Sequence, residues 1–368
     1  MNLALTPQQE EFVGDLGSVL ASGVTASDWD ERISTAPGYE EALWSKLMTG
    51  RWVTVGFPEA LGGGGGGVTD MVLMAELLGA GPVPGPLHSG IVLSGHALLA
   101  AGDDVRLRAL LSGERTFAFC SWGGAEQSAV VATERPSGWH LDGRISFVPY
   151  GADAVELLVL ADVRADDGTD QRALFAVDRS WAGVATQPIP ALGGDRLCHV
   201  AFTDVEVPAS GLVGRIGDAA HWWPDVRDIG RVVVAAEMVG AASAALAHAS
   251  RWASTRVQFQ APIGTLQAVQ HRLADAFIDV VTARDAVYDA AATIDRGEAA
   301  HAAAAGAKAY CGDACRRVTA AAHQVCGGEG IYADQPLQAW HRRVSSLVPY
   351  LGGVQELRAV VAEDVLSK

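Results

Sequence analysis

Apolar positions along the chain change their spacing twice. Near the start they recur at a helical period. Val68, Met71, Val72, Ala75 and Leu78 fall at i, i+3, i+4, i+7 and i+10, with Gly79 as a stop signal. Thr6-Pro7-Gln8-Gln9 reads as a helix start: a Thr cap, Pro at the first helical position and Gln at the third. From about residue 114 the runs shorten and fill with Val, Phe and Leu. Residues 116–121, 139–150, 156–163, 172–178 and 199–207 read as strands, and 164–171, holding Asp167-Gly168, as a hairpin loop. Strands at this spacing predict a compact β domain, barrel or sandwich. From about residue 216 the helical period returns over 229–252, 267–296, 299–326 and 351–366. The apolar stretch 232–247 is interrupted by Glu237 and is too short for a bilayer span, so it predicts a buried helix.

Composition narrows the class. The chain has 368 residues, 49% hydrophobic and 19% charged, which describes a well-packed globular protein. A formal net charge of −16 argues against wrapping a nucleic-acid backbone or lying on an anionic membrane. Small anionic ligands are still open to it, since a few arginines can build a local site. Five scattered cysteines, an odd number, read as reduced thiols in a cytoplasmic protein. Cys311 and Cys315 have three residues between them and no second pair follows, so no metal is expected. The N-terminus lacks a basic, apolar leader pattern. The run Gly62–Gly67 is a loop by any reading.

Two motifs carry chemistry. One is Arg256-Val257-Gln258-Phe259-Gln260-Ala261-Pro262-Ile263-Gly264, continued by Thr265-Leu266-Gln267-Ala268-Val269-Gln270-His271. The other is Gln324-Val325-Cys326-Gly327-Gly328-Glu329-Gly330. They resemble the R-x-x-F-G-x-P-I-G-x-x-Q-x-x-x-H and Q-x-x-G-G-x-G signatures of the acyl-CoA dehydrogenase family. Three weaker matches lie in the same order: 55–63 with a P-E-x-x-G-G loop, 143–161 with a strand hairpin, and 200–208 with a v-x-F-x-d-V-x-V-P strand. Five collinear matches span nearly the whole chain.

The resemblance implies an α+β fold. Residues 1–113 would form an N-terminal helical domain, 114–215 a middle β-barrel or sandwich domain, and 216–368 a C-terminal four-helix bundle. It implies FAD bound at a subunit interface, an acyl-CoA or acyl-carrier thioester as substrate, an electron-transfer acceptor, and a homo- or hetero-oligomer. By the same resemblance Arg256 would contact the FAD pyrophosphate and Phe259 and Gln267 would line the neighbouring surface. Gln324, Gly327 and Gly328 would meet the dinucleotide, the glycines allowing close backbone approach. Without the resemblance, Arg256 pairing with a local carboxylate and Gly327-Gly328 ending a helix explain the same residues.

The comparison also locates a gap. Removing an α-proton needs a general base, in this family a Glu. Its usual Y-E-G-T motif reads Tyr350-Leu351-Gly352-Gly353 here, and the alternative position before the arginine of the long central helix holds Gly230. Neither takes a proton. Glu237 lies two helical turns beyond Gly230, about 10.5 Å along the axis, and reads more readily as a buried acid paired with an arginine or capping a neighbouring helix than as a base. Asp228, Glu329 and Glu356 are no better placed.

Phe147 and Pro149 stand where the family's flavin-contacting Trp and Thr are expected. Residues 121–128 replace the family's T-E-x-x-x-G-S-D loop. The Arg342-Arg343 pair stands in place of an Arg-Asp. Together these features resemble the base-less subunit of actinobacterial heteromeric members. Three readings stand: a subunit acting with a base-bearing partner, a self-sufficient dehydrogenase with a relocated base such as Glu237, and a non-catalytic assembly subunit.

Overall fold

The computed structural model describes residues 5–21, 29–34, 36–120, 130–164, 170–332 and 335–367. Six helices lead: α1 (Pro7–Ala21), α2 (Trp29–Ser34), α3 (Glu41–Thr49), α4 (Val68–Ala80), α5 (Ser94–Ala101) and α6 (Asp104–Leu111). The Thr6 cap forms as the sequence predicts. The Gln9 amide donates to Thr6 Oγ1 at 3.2 Å and the Thr6 amide to Gln9 Oε1 at 3.1 Å, a reciprocal capping box. Gly79 does not stop α4, which runs to Ala80. It is a crossing point instead: a Cβ there would lie 2.1 Å from the Glu237 carbonyl oxygen of the central helix. A π-helical turn, Leu87–Leu93, leads into α5 and is wholly buried.

Eight strands follow in one mixed sheet: β1 (Phe117–Cys120), β2 (Val130–Arg135), β3 (Gly138–Pro149), β4 (Glu156–Arg164), β5 (Asp170–Asp178), β6 (Val184–Ile189), β7 (Leu197–Pro208) and β8 (Leu212–Val213). The order is β6-β7-β3-β2-β4-β5-β8, with β1 pairing parallel to β4. Of the expected hairpin loop at 164–171, residues 165–169 lie outside the described residues, while Arg164, Asp170 and Gln171 belong to β4 and β5, which pair antiparallel.

The third region is helical: α7 (Asp218–Thr255), α8 (Gln267–Asp295), α9 (His301–Cys326), α10 (Leu337–Leu347) and α11 (Val354–Leu366). Helix α7 begins eleven residues earlier than the apolar pattern suggests, with Pro224 inside it. It packs against α4, α8, α9 and α10, and 72% of its most apolar window is buried. A small hairpin, β9 (Val257–Gln258) with β10 (Ala261–Pro262), links α7 to α8.

One continuous apolar core joins the N-terminal helices to the C-terminal bundle, from Leu16 to Leu351. The sheet has its own core around Trp139, Phe175 and Val205. The three regions meet where the π turn, the end of β3 and the segment after α10 converge.

Candidate active site and cofactor face

The Tyr350–Gly353 segment is held from below by two buried cations. Arg231 Nε donates to the Leu351 carbonyl at 2.9 Å, and Arg231 Nη1 to Asp228 Oδ1 at 2.9 Å. Asp228 Oδ2 is in turn 2.7 Å from His301 Nδ1, which leaves Asp228 fully engaged. Lys308 Nζ donates to the carbonyls of Val348 at 2.9 Å and Gly352 at 3.4 Å. Burial pushes the Lys308 ammonium down to about 7; Arg231 adds to that, and Cys311 and Glu356 oppose it.

These anchors hold Leu351 at φ 58°, a left-handed conformation uncommon for a leucine. The side chain has no exposed surface. It lies directly over Gly230: a Cβ built on Gly230 would be 2.7 Å from Leu351 Cδ1 and 2.8 Å from Leu93 Cδ2. The two expected base positions are therefore one place, and that place is a closed apolar contact between Leu351, Gly230 and Leu93. Glu356 is exposed on the first turn of α11, and Glu329 sits in the short helical turn Gly327–Ile331.

Glu237 is engaged elsewhere. Its carboxylate pairs with Arg343 Nε, accepts from Arg343 Nη2 at 3.1 Å, and lies 2.5 Å from His88 Nε2. Arg343 Nη1 also reaches Asp195 Oδ1 at 2.6 Å. Burial alone would raise the Glu237 carboxyl; the charges of Arg343 and His88 and their hydrogen bonds more than reverse it and hold it at about 2. A carboxylate that hard to protonate, and already engaged by Arg343 and His88, is a poor proton acceptor. Beside this cluster lies a cavity of about 20 Å³, lined among others by Pro86, His88, Pro149, Tyr150, Asp195 and Tyr350. Sequence reasoning missed His88, Asp195 and Lys308, and used Arg231 only as the landmark that follows Gly230. The available signal was Glu237 itself, since an acid inside an apolar helix demands a buried cation.

The opposite end of the bundle is open. Arg256 is exposed at the end of α7, its guanidinium 5.6 Å from the Trp252 ring centroid. Among the described residues no carboxylate pairs with it. Phe259 and Gln260 form the β9–β10 turn with φ 51° and 69°. Positive φ at both positions is the hairpin geometry usually given to Asn-Gly, and it projects Phe259 at 89% exposure.

Gln267 starts α8 and is exposed. Gln324, on the last turn of α9, lines an open groove of about 730 Å³ with His271, Arg272 and Arg317. A Cβ on Gly327 or Gly328 would meet nothing within 4 Å. Gly327 has φ 63° and needs glycine for its backbone, whereas nothing within the chain requires glycine at 328. Phe147, at φ 61° and 42% exposed, lies on β3 with its ring 6.0 Å from His199. Residues 121–128 fall outside the described residues.

An exposed arginine, open glycines and a projecting aromatic suit the phosphate end of a dinucleotide. The corner between Pro149 and Leu351 does not suit its ring system. Buried Pro149 offers neither hydroxyl nor N–H, and the cavity there is about 20 Å³.

Comparison with known proteins agrees in family. The profile described as "Acyl-CoA dehydrogenase, C-terminal domain" matches residues 227–366. The acyl-CoA dehydrogenase IpdE2 of Mycolicibacterium smegmatis is 30% identical over 329 residues, covering 89% of this chain and 89% of that protein. Among solved structures, the ChsE4-ChsE5 complex from Mycobacterium tuberculosis superposes with a TM-score of 0.90 at 26% identity, over all of both chains. Butyryl-CoA dehydrogenase from Megasphaera elsdenii gives 0.90 at 26%, again over all of both chains.

Proposed function

This chain belongs to the acyl-CoA dehydrogenase family of flavoprotein oxidoreductases, and from that premise we propose that it is the base-less subunit of a two-component, FAD-dependent acyl-CoA dehydrogenase. In such an assembly bound FAD would supply the acceptor for the hydride from the β-carbon, and a carboxylate on the partner would take the α-proton. This chain's part is to bind and position. Arg256 neutralises pyrophosphate charge, Gln324 and the Gly327-Gly328 backbone donate hydrogen bonds, Gln267 lines the surface beside them, and Phe259 packs across the interface. Phe147 keeps only an apolar face where a flavin ring would otherwise be presented.

The observation that carries this reading is the apolar seal: Leu351 on Gly230, with no carboxylate within the contact. One of the solved structures it resembles is the ChsE4-ChsE5 complex, an assembly of two differently named chains. The self-sufficient reading loses its named base, because Glu237 is committed to Arg343 and His88.

The test is purification of a tagged chain from its own host, followed by identification of what accompanies it. A second chain of the same fold, bearing a carboxylate at the place of Leu351 or Gly230, is expected. Recovery of this chain alone, with flavin and with acyl-CoA oxidising activity, would overturn the proposal.

A further inference from the structure

Glu237, Arg343, Asp195 and His88 take no part in the exposed cofactor face. They come from α7, α10, the β6–β7 connection and the π turn, so all three regions contribute. Glu237, Arg343 and His88 are 2%, 4% and 5% exposed. Burying charges is costly, and a hydrophobic packing of the same volume often serves stability as well. Their retention calls for a reason.

Location supplies one. The cluster meets beside Tyr350, the neighbour of Leu351, and across the cavity from Pro149 at the end of β3. A thioester oxidised in this chain would place its reacting carbons between that strand end and the Leu351 loop. Pockets that accept small molecules run to about 300 Å³ or more. The space left here is about 20 Å³, enough for one water.

Two buried polar atoms, His88 Nδ1 and Tyr150 Oη, have no partner among the described residues, and both residues line that cavity. The Glu237 carboxylate occupies the Nε2 side of the ring and leaves Nδ1 without a partner among the described residues. One water bonded to Nδ1 and to the Tyr150 hydroxyl satisfies both.

We infer that the Glu237–Arg343–Asp195–His88 cluster is a built-in occupant of the thioester site, a polar lock that closes this chain's own reaction corner. The inference rests on the family reading above and deepens it: the missing carboxylate is one barrier and the lock is a second. Restoring the acid by Leu351→Glu therefore does not reopen the site.

The test counts thioester binding sites. Acetoacetyl-CoA is a suitable probe, because its small acyl group asks little of a pocket. It is titrated calorimetrically into the purified protein with whatever subunit it carries. The parent and Leu351→Glu are expected to bind none in this chain. The double variant Glu237→Ala/Arg343→Ala, which removes one charge of each sign, is expected to add one equivalent per copy of this chain.

The lock is overturned if the parent already binds one equivalent in every copy of this chain. It is equally overturned if the folded double variant adds none. Should the double variant fail to fold, Arg343→Lys is scored by the same count, since one ammonium cannot hold two carboxylates in a fork. Whether a second subunit co-purifies is read separately, so the partnership can fail while the lock stands.

Discussion

The closed corner and the open cofactor face are built in opposite ways from the same bundle. At the corner, the charged groups are consumed internally. Arg231 and Lys308 bind carbonyls, Arg343 binds two carboxylates, and Leu351 fills the hollow over Gly230. At the face, groups are left for something outside the chain: Arg256 without a carboxylate among the described residues, Phe259 at 89% exposure, and Gly328 with open space and no backbone need for glycine. On the proposed reading, the difference teaches that losing one activity and keeping one binding surface are separable in this fold. The two ends share α7, yet only one still looks outward.

Substitutions should therefore behave differently at the two ends. The largest effect is expected for Arg343→Ala. It strands Glu237 and Asp195 without their cation, and a loss of about 3–5 kcal/mol in chemical denaturation is expected. A loss below about 1 kcal/mol would mean that the corner is hydrated and not sealed.

Glu237→Gln is expected to cost about 2 kcal/mol at neutral pH. The sign of its pH dependence follows from the carboxyl being held at about 2 against its ordinary 4.5. Its stabilisation is complete above 4.5 and disappears as pH falls toward 2, so variant and parent should converge in acid.

Lys308 works the other way. With its folded value near 7 and an ordinary value of 10.5, the unfolded chain binds more protons between those limits. Parent stability relative to Lys308→Met should then rise with pH across that window, by at most about 1.4 kcal/mol per pH unit.

The smallest stability effects belong to the open face. Arg256→Ala and Gly328→Ala should each change stability by less than about 0.5 kcal/mol. Both should nevertheless weaken flavin retention by the assembled protein, measured by equilibrium dialysis. A large stability loss at either position would mean that the face serves the chain's own packing.

Much of this architecture was legible in the sequence, for identifiable reasons. The Thr6–Gln9 box and the long helices have local signals. Strand β6 was missed because Pro188 demotes a strand pattern, yet β6 is the edge of the sheet, where a proline is tolerated. Strand β2 was missed because its outer half is polar and exposed. Gly79 was misjudged as a stop because its role is a helix crossing, a tertiary demand with no local mark. The base-position vacancy at Leu351 and Gly230 was readable from motif order. That these two positions touch, and that Glu237 is matched by His88 and by an Arg343 that also holds Asp195, depends on contacts spanning more than a hundred residues for which spacing offers no clue.

The most direct test of the central claim is the visible flavin spectrum of the chain purified alone, before and after addition of its partner and an acyl-CoA. The closed-corner account predicts little bound FAD in the isolated chain, flavin acquired on assembly, and bleaching by substrate only then. A yellow isolated chain, with one FAD per copy that an acyl-CoA bleaches, would contradict it.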